Sequence, residues 1–173
     1  MTSKKVFSFT RFSSQNIKDV LSWVKNEEDL IYWSGNSFKH GISIDSFVQH
    51  LERKDLLPYQ IIDQSKRIQA YGEVVIQDIE RATLCRIIVN PVNRRQGLGT
   101  LLCKCLISEI ENWNTIEEIA LNTLTSNQAA VTCYKALGFK EQGLKKKCRR
   151  IKNSWHDLLY MSTFLNDKRR INV

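Results

Sequence analysis

The chain has 173 residues, 42% of them hydrophobic and 25% charged, a balance that suits one domain with its own core over residues 1–173 and argues against disorder. The opening stretch MTSKKVFSFTRFSS lacks the apolar core of a signal peptide, and no apolar run approaches the roughly 20 residues of a membrane span, so a cytoplasmic location without membrane contact is expected. A net charge of +8 favours a phosphate-rich cofactor, an acidic substrate and nucleic acid alike, and does not choose among them.

In chain order, the alternation of Val6–Phe12 predicts a first strand, and Ser13 or Ser14 is suited to cap a helix through Ile17, Val20, Leu21 and Val24. Two short helices follow over Glu27–Trp33 and Ser43–Arg53, the second with Asp45 ahead of Phe47, Val48 and Leu51. After Pro58 the pattern turns to an antiparallel meander of Tyr59–Asp63, Ile68–Gln77 and Thr83–Val89, broken at polar turns. Leu98, Leu101, Leu102, Cys105, Leu106, Ile110 and Trp113 recur every three or four positions, the strongest helical pattern in the chain. A strand over Ile116–Leu124, a helix over Gln128–Leu137 stopped by Gly138, and a strand pair over Gly143–Ile151 and Trp155–Phe164 complete a mixed α+β reading.

The segment IIVNPVNRRQGLGTLL sets a strand, a glycine-bearing turn and a helix in succession. The backbone N–H groups of Gln96 to Thr100 then converge at a helix N-terminus, where unpaired amides and the positive end of the dipole attract phosphate. Gly97 and Gly99 let the backbone come close, and Arg94 and Arg95 add charge. A nucleotide-hydrolysing loop needs Lys then Ser or Thr after its last glycine, and a dinucleotide fold needs G-x-G-x-x-G; neither is present. The five cysteines form no C-x-x-C pair, and His40, His50 and His156 are scattered, so no disulfide or metal site is expected.

This segment resembles the acetyl-CoA loop of the GNAT superfamily of N-acetyltransferases, Q/R-x-x-G-x-G/A after a strand, and SNQAAVTCYKALGF resembles its second signature. The closing NSWHDLLYMSTF is similar to the final strand, so the likeness covers residues 59 to 165 well and the earlier part in outline. The resemblance implies a single GNAT-like domain, a central mixed, mostly antiparallel sheet flanked by helices, with central strands splayed at the acetyl-CoA site. It implies that Ile87, Ile88 and Val89 offer strand backbone to the acetyl carbonyl and pantetheine, that Arg94, Arg95, Gln96, Gly97, Leu98, Gly99 and Thr100 hold the pyrophosphate, and that Asn127 lies near the pantetheine arm. Tyr134 would protonate the departing thiolate, and the acceptor would be an amine of a small molecule or protein, attacking directly in a monomer or homodimer.

One position departs from the pattern. Ribosomal-protein N-terminal acetyltransferases carry a basic glutamate on the strand before the asparagine, where this chain has Asn122. Glu73 is then the candidate base, with Glu80 second, unless the amine arrives neutral; a non-catalytic acyl-CoA-binding regulatory module is the alternative. Cys133 adjoins Tyr134 but has no histidine in its motif, and reads as structural. The run KKKCRR at Lys145–Arg150 reads as a strand with alternate charges in solvent; without interleaved aromatics it does not point to nucleic acid.

Overall fold

The computed structural model describes residues 6–38 and 40–165, so the ends of the expected 1–173 domain lie outside the described residues. Seven strands, β1 (Phe7–Arg11), β2 (Leu56–Asp63), β3 (Ile68–Ile76), β4 (Arg81–Val89), β5 (Glu118–Leu124), β6 (Lys140–Ile151) and β7 (Ser154–Phe164), form one sheet in the order β1-β2-β3-β4-β5-β7-β6. All neighbours pair antiparallel except β4 and β5. Helices α1 (Ile17–Ser22), α2 (Glu27–Ser34), α3 (Ile44–Leu51), α4 (Leu98–Glu111) and α5 (Gln128–Ala136) flank it.

Two apolar cores follow from this layering. The α4 positions Leu102, Leu106 and Ile110 are fully buried with Val74, Leu84 and Ile119 of the sheet, joined by Tyr134 and Phe139. Phe47 and Trp33 of the N-terminal helices, with Trp23 and Phe38 of the turns beside them, pack with Tyr71 and Ile88 in a second cluster. Gly72 on β3 leaves room for β4 and α4 side chains: a Cβ there would lie 2.7 Å from Ile87 Cδ1 and 3.1 Å from Leu102 Cδ2.

The sheet departs from the sequence reading at three places. β2 begins at Leu56 and carries Pro58 inside it, because β1 ends opposite Tyr59 and leaves that stretch as a partial edge, where the missing N–H costs no ladder bond. A 3₁₀ turn at Ser14–Asn16 leads into α1, and Ser13 makes no side-chain cap; of the first three helices, α2 is capped by Asn26 and α3 by Ser43. β6 starts at Lys140, and the expected alternation through its basic run fails. Three residues, Lys146 to Cys148, fall between the pairs Lys145↔Leu158 and Arg149↔His156, with Lys147 at φ 49°. The bulge leaves Lys145, Lys146 and Lys147 all exposed and turns Arg149 inward.

Candidate acetyl-transfer site

β4 and β5 pair in parallel for only four residues each, from Arg81↔Glu118 to Leu84↔Leu121. Beyond that point β4 continues along β3 while Asn122, Thr123 and Leu124 pair with β7, so the two strands part and a gap opens in mid-sheet. The splay begins at Leu84, five residues before Val89. The N-terminus of α4 and Tyr134 of α5 both belong to the core on one face of the sheet.

A bulge shapes the near wall. β3 pairs Tyr71 with Ile88 and Glu73 with Cys85, so Arg86 and Ile87 together face Gly72, and Arg86 sits in the left-handed region at φ 48°. Such a conformation costs a branched-free residue on the order of 1–3 kcal/mol and persists only where neighbours hold it. Here they do: Trp33 Nε1 donates to the Arg86 carbonyl at 2.8 Å, the Arg86 side chain pairs with Glu73, and its Nη1 donates to Ser37 Oγ at 3.1 Å.

Glu73 is fully buried. Besides Arg86, it accepts the Tyr71 hydroxyl at 2.6 Å and has His50 Nε2 3.1 Å from both oxygens. Burial first, and then the Glu73 carboxylate, push the Tyr71 phenol well above its ordinary range, so it remains a donor. This cluster lies behind the wall, and Glu73 does not line the cavity at the splay. Arg86, Tyr71 and His50 occupy both of its oxygens. Glu80 lies in the β3–β4 turn and does not line it either.

The loop ahead of α4 takes the strand, turn and helix form that its sequence suggests. Arg95 at φ 60° and Gly97 at φ 78° turn the chain into α4, and Gly97 is the N-cap with no side-chain cap bond. Leu101 N–H donates to Gly97 O at 2.9 Å, which leaves the amides of Leu98, Gly99 and Thr100 at the open end of the helix. A Cβ at Gly97 would meet nothing within 4 Å, so φ, not crowding, selects glycine there. Arg94 and Arg95 are exposed without a carboxylate partner among the described residues. Asn93, which donates to Gln69 at 2.6 Å, anchors the loop to β3.

At the splay a cavity of about 190 Å³ is lined by Ile87, Asn127 and Tyr134, together with Asn122, Arg149 and the end of α2. Asn127 caps α5 by accepting from Ala130 N–H at 3.3 Å, which leaves its amide N–H₂ for a ligand. Tyr134 is nearly buried, and burial above all pushes its phenol up from the ordinary value, so it is protonated at neutral pH. Cys133 points elsewhere: its Sγ lies 3.2 Å from Thr100 Oγ1, and hydrogen bonds from Cys103 first and then Thr100 bring its thiol down to about 6. It stands beside the phosphate loop, outside the cavity lining. A larger cavity of about 450 Å³ between α1 and the β2–β3 turn holds none of the expected site residues, and its Asp63 is already bonded to Ser65, Arg67 and Gln69.

Sequence reasoning missed a polar path at the cavity rim. Tyr32 OH lies 3.0 Å from Ser126 Oγ, which lies 3.0 Å from His156 Nδ1. These residues are 94 and 30 positions apart in pairs, so no local pattern signals them. Ser126 alone was within reach, as the residue before Asn127 in the second signature.

Comparison with known proteins agrees with this geometry. The model of the Acetyltransferase (GNAT) family matches residues 21–139. A [ribosomal protein bS18]-alanine N-acetyltransferase of Escherichia coli K12 is 38% identical over 68 residues, 39% of this chain. The matched stretch spans 45% of that relative's length, and the Salmonella typhimurium counterpart is 37% identical over the same extent. Among solved structures, the E. coli ribosomal-protein-S18-alanine N-acetyltransferase superimposes with a TM-score of 0.72 at 21% identity, covering 92% of this chain and 94% of that one. Spermidine N-acetyltransferase from Vibrio cholerae, in complex with CoA and spermine, gives 0.78 at 15% identity, covering 92% and 96%. At these identities the structures share the fold.

Proposed function

The chain belongs to the GNAT family of acetyltransferases, and we propose that it moves the acetyl group of acetyl-CoA onto a primary amine of a small molecule or protein by direct attack. The observation that carries this is the parting of β4 and β5 after Leu84 and Leu121, with an uncapped helix N-terminus and a protonated tyrosine on the same face. The amides of Leu98, Gly99 and Thr100, with Arg94 and Arg95, suit the pyrophosphate. The unpaired edge of β4 at Ile87, Ile88 and Val89 suits the amide-bearing pantetheine arm, as an exposed strand edge suits an added strand. The same bulged backbone is available to the oxygen charge that develops on the acetyl carbonyl.

Two proton transfers complete the reaction. Tyr134, a phenol kept protonated by its burial, gives its proton to the departing thiolate. No carboxylate lines the cavity among the described residues, so the amine proton is assigned to the path from Tyr32 through Ser126 to His156. Glu73 then serves by holding Arg86 in the bulge.

Calorimetric titration with acetyl-CoA, followed by thiol release against a panel of amines, tests the whole reading. Binding with release supports it. Binding without release against any amine favours the acyl-CoA-binding module that Asn122 in place of glutamate suggests, and no binding removes both. Tyr134→Phe is expected to lower kcat by roughly 100-fold while the acetyl-CoA titration is little changed. An unchanged kcat would end its role as acid. His156→Gln is expected to lower kcat by about 10- to 100-fold in the same assay; a variant as fast as the parent would return the proton to solvent.

A further inference from the structure

Arg149 reaches the cavity through an irregularity of the sheet. The bulge at Lys146–Cys148 puts two extra residues into β6 opposite Asp157, and the Arg149 guanidinium comes to lie over the bare backbone of Gly35 at the end of α2, where a Cβ would be 3.6 Å from Nη2. Its Nε is buried and has no hydrogen-bond partner. The bond that the side chain does make runs from Nη1 to the carbonyl of its neighbour Cys148, at 3.2 Å. No carboxylate pairs with it among the described residues.

A buried charged donor without a partner is costly, and it persists where a ligand supplies the partner. The other arginine on the cavity wall differs: Arg86 is neutralised by Glu73. The acceptor side of the cavity thus presents one uncompensated positive charge at Arg149, and none of the described residues lining the cavity is Asp or Glu. At about 190 Å³, shared with the acetyl end of the cofactor, the space admits a head group of about amino-acid size.

Resting on the acetyltransferase reading above, we infer that the acceptor is a small amine carrying an anionic group, carboxylate or phosphate, which Arg149 binds while the amine faces Tyr134. Charge-assisted bonds to a guanidinium are short, directional and strong, so Arg149 both selects the acceptor and orients it. A polyamine meets the opposite: a positive wall and no acid to receive its far ammonium groups.

The test is thiol release with matched amines that differ in the anionic group: phenylalanine against phenethylamine for carboxylate, O-phosphoethanolamine against ethanolamine for phosphate, with spermidine as the polycation. In at least one pair the anionic member is expected to have kcat/KM at least ~10-fold above its counterpart, and above spermidine. Arg149→Gln is expected to bring that ratio close to one by raising KM for the anionic member, with acetyl-CoA titration as the folding control. Which pair responds identifies carboxylate or phosphate. Preference of the parent protein for spermidine or for the neutral members overturns the inference and leaves the transferase reading standing, as does an Arg149→Gln variant that keeps the parental ratio. Absence of release with every amine overturns both. The preference of the parent protein is measured without any substitution, so it decides the matter even if the variant fails to fold.

Discussion

Gly97→Glu is expected to weaken acetyl-CoA binding by more than about 100-fold while the chain stays folded. Two effects separate cleanly at this position. The backbone effect is strain: Gly97 sits at φ 78°, and a side chain in that region costs roughly 1–2 kcal/mol. The steric effect is absent, since a Cβ there meets nothing within 4 Å. The charge effect is the large one. A carboxylate at the N-cap of α4 occupies the place proposed for the pyrophosphate and takes up the outward amides of Leu98 to Thr100. Like charges about 4–5 Å apart repel by roughly 3–4 kcal/mol at an effective dielectric near 20, which alone exceeds two decades in affinity. Gly97→Ala carries the strain without the charge and is expected to stay within about tenfold of the parent. Calorimetry on the three proteins, with a thermal melt on each, gives the answer. Parental affinity in Gly97→Glu would mean that this helix end does not hold the cofactor.

The loop proposed for the pyrophosphate was legible in the sequence for a physical reason: its geometry is local. A strand, a left-handed turn and a helix start lie within sixteen residues, and glycine at Gly97 marks the φ that the turn needs. The helix over Leu98–Glu111 was equally plain, because its buried positions Leu98, Leu102, Leu106 and Ile110 repeat with the period of the backbone. What the sequence could not give was anything set by pairing across the sheet. The early parting of β4 from β5 depends on β7 capturing Asn122 to Leu124, some 36 residues away in sequence from their partners, by the register Asn122↔Tyr160 to Leu124↔Leu158. Arg149 is the sharper case. Alternation through Lys145 to Arg150 puts every second charge in solvent, whereas the bulge around Lys147, held by its N–H to Asp157 Oδ1 at 2.7 Å, leaves three successive lysines outward and Arg149 half-buried. Glu73 is a different case. A carboxylate on a central strand reads as a base or as a surface charge, and its actual surroundings come from α3, from its own strand and from the bulge of β4.

That surrounding predicts the largest loss of stability. Glu73→Gln is expected to cost about 3–5 kcal/mol in urea denaturation, because it removes the charge that compensates Arg86, whose side chain is 7% exposed, and leaves a cation in the core of the domain. His50 and Tyr71 both touch the same carboxylate, and a glutamine, which keeps one carbonyl oxygen, cannot serve all three donors. Removing both charges distinguishes the ion pair from the shape of the site. Glu73→Gln combined with Arg86→Met, which replaces the guanidinium by an apolar chain, is expected to recover at least about 1–2 kcal/mol of the loss, as buried pairs replaced by apolar groups commonly do. Activity need not recover with stability. Arg86 sits at φ 48°, and its ion pair with Glu73 and its carbonyl bond from Trp33 together hold the bulge against the pull of ordinary strand geometry. A double variant that regains its urea midpoint but not its kcat assigns Glu73 to the positioning of β4. A single variant with the parental midpoint and a collapsed kcat would instead restore Glu73 as the base, and the wall that now separates it from the cavity would have to open during turnover.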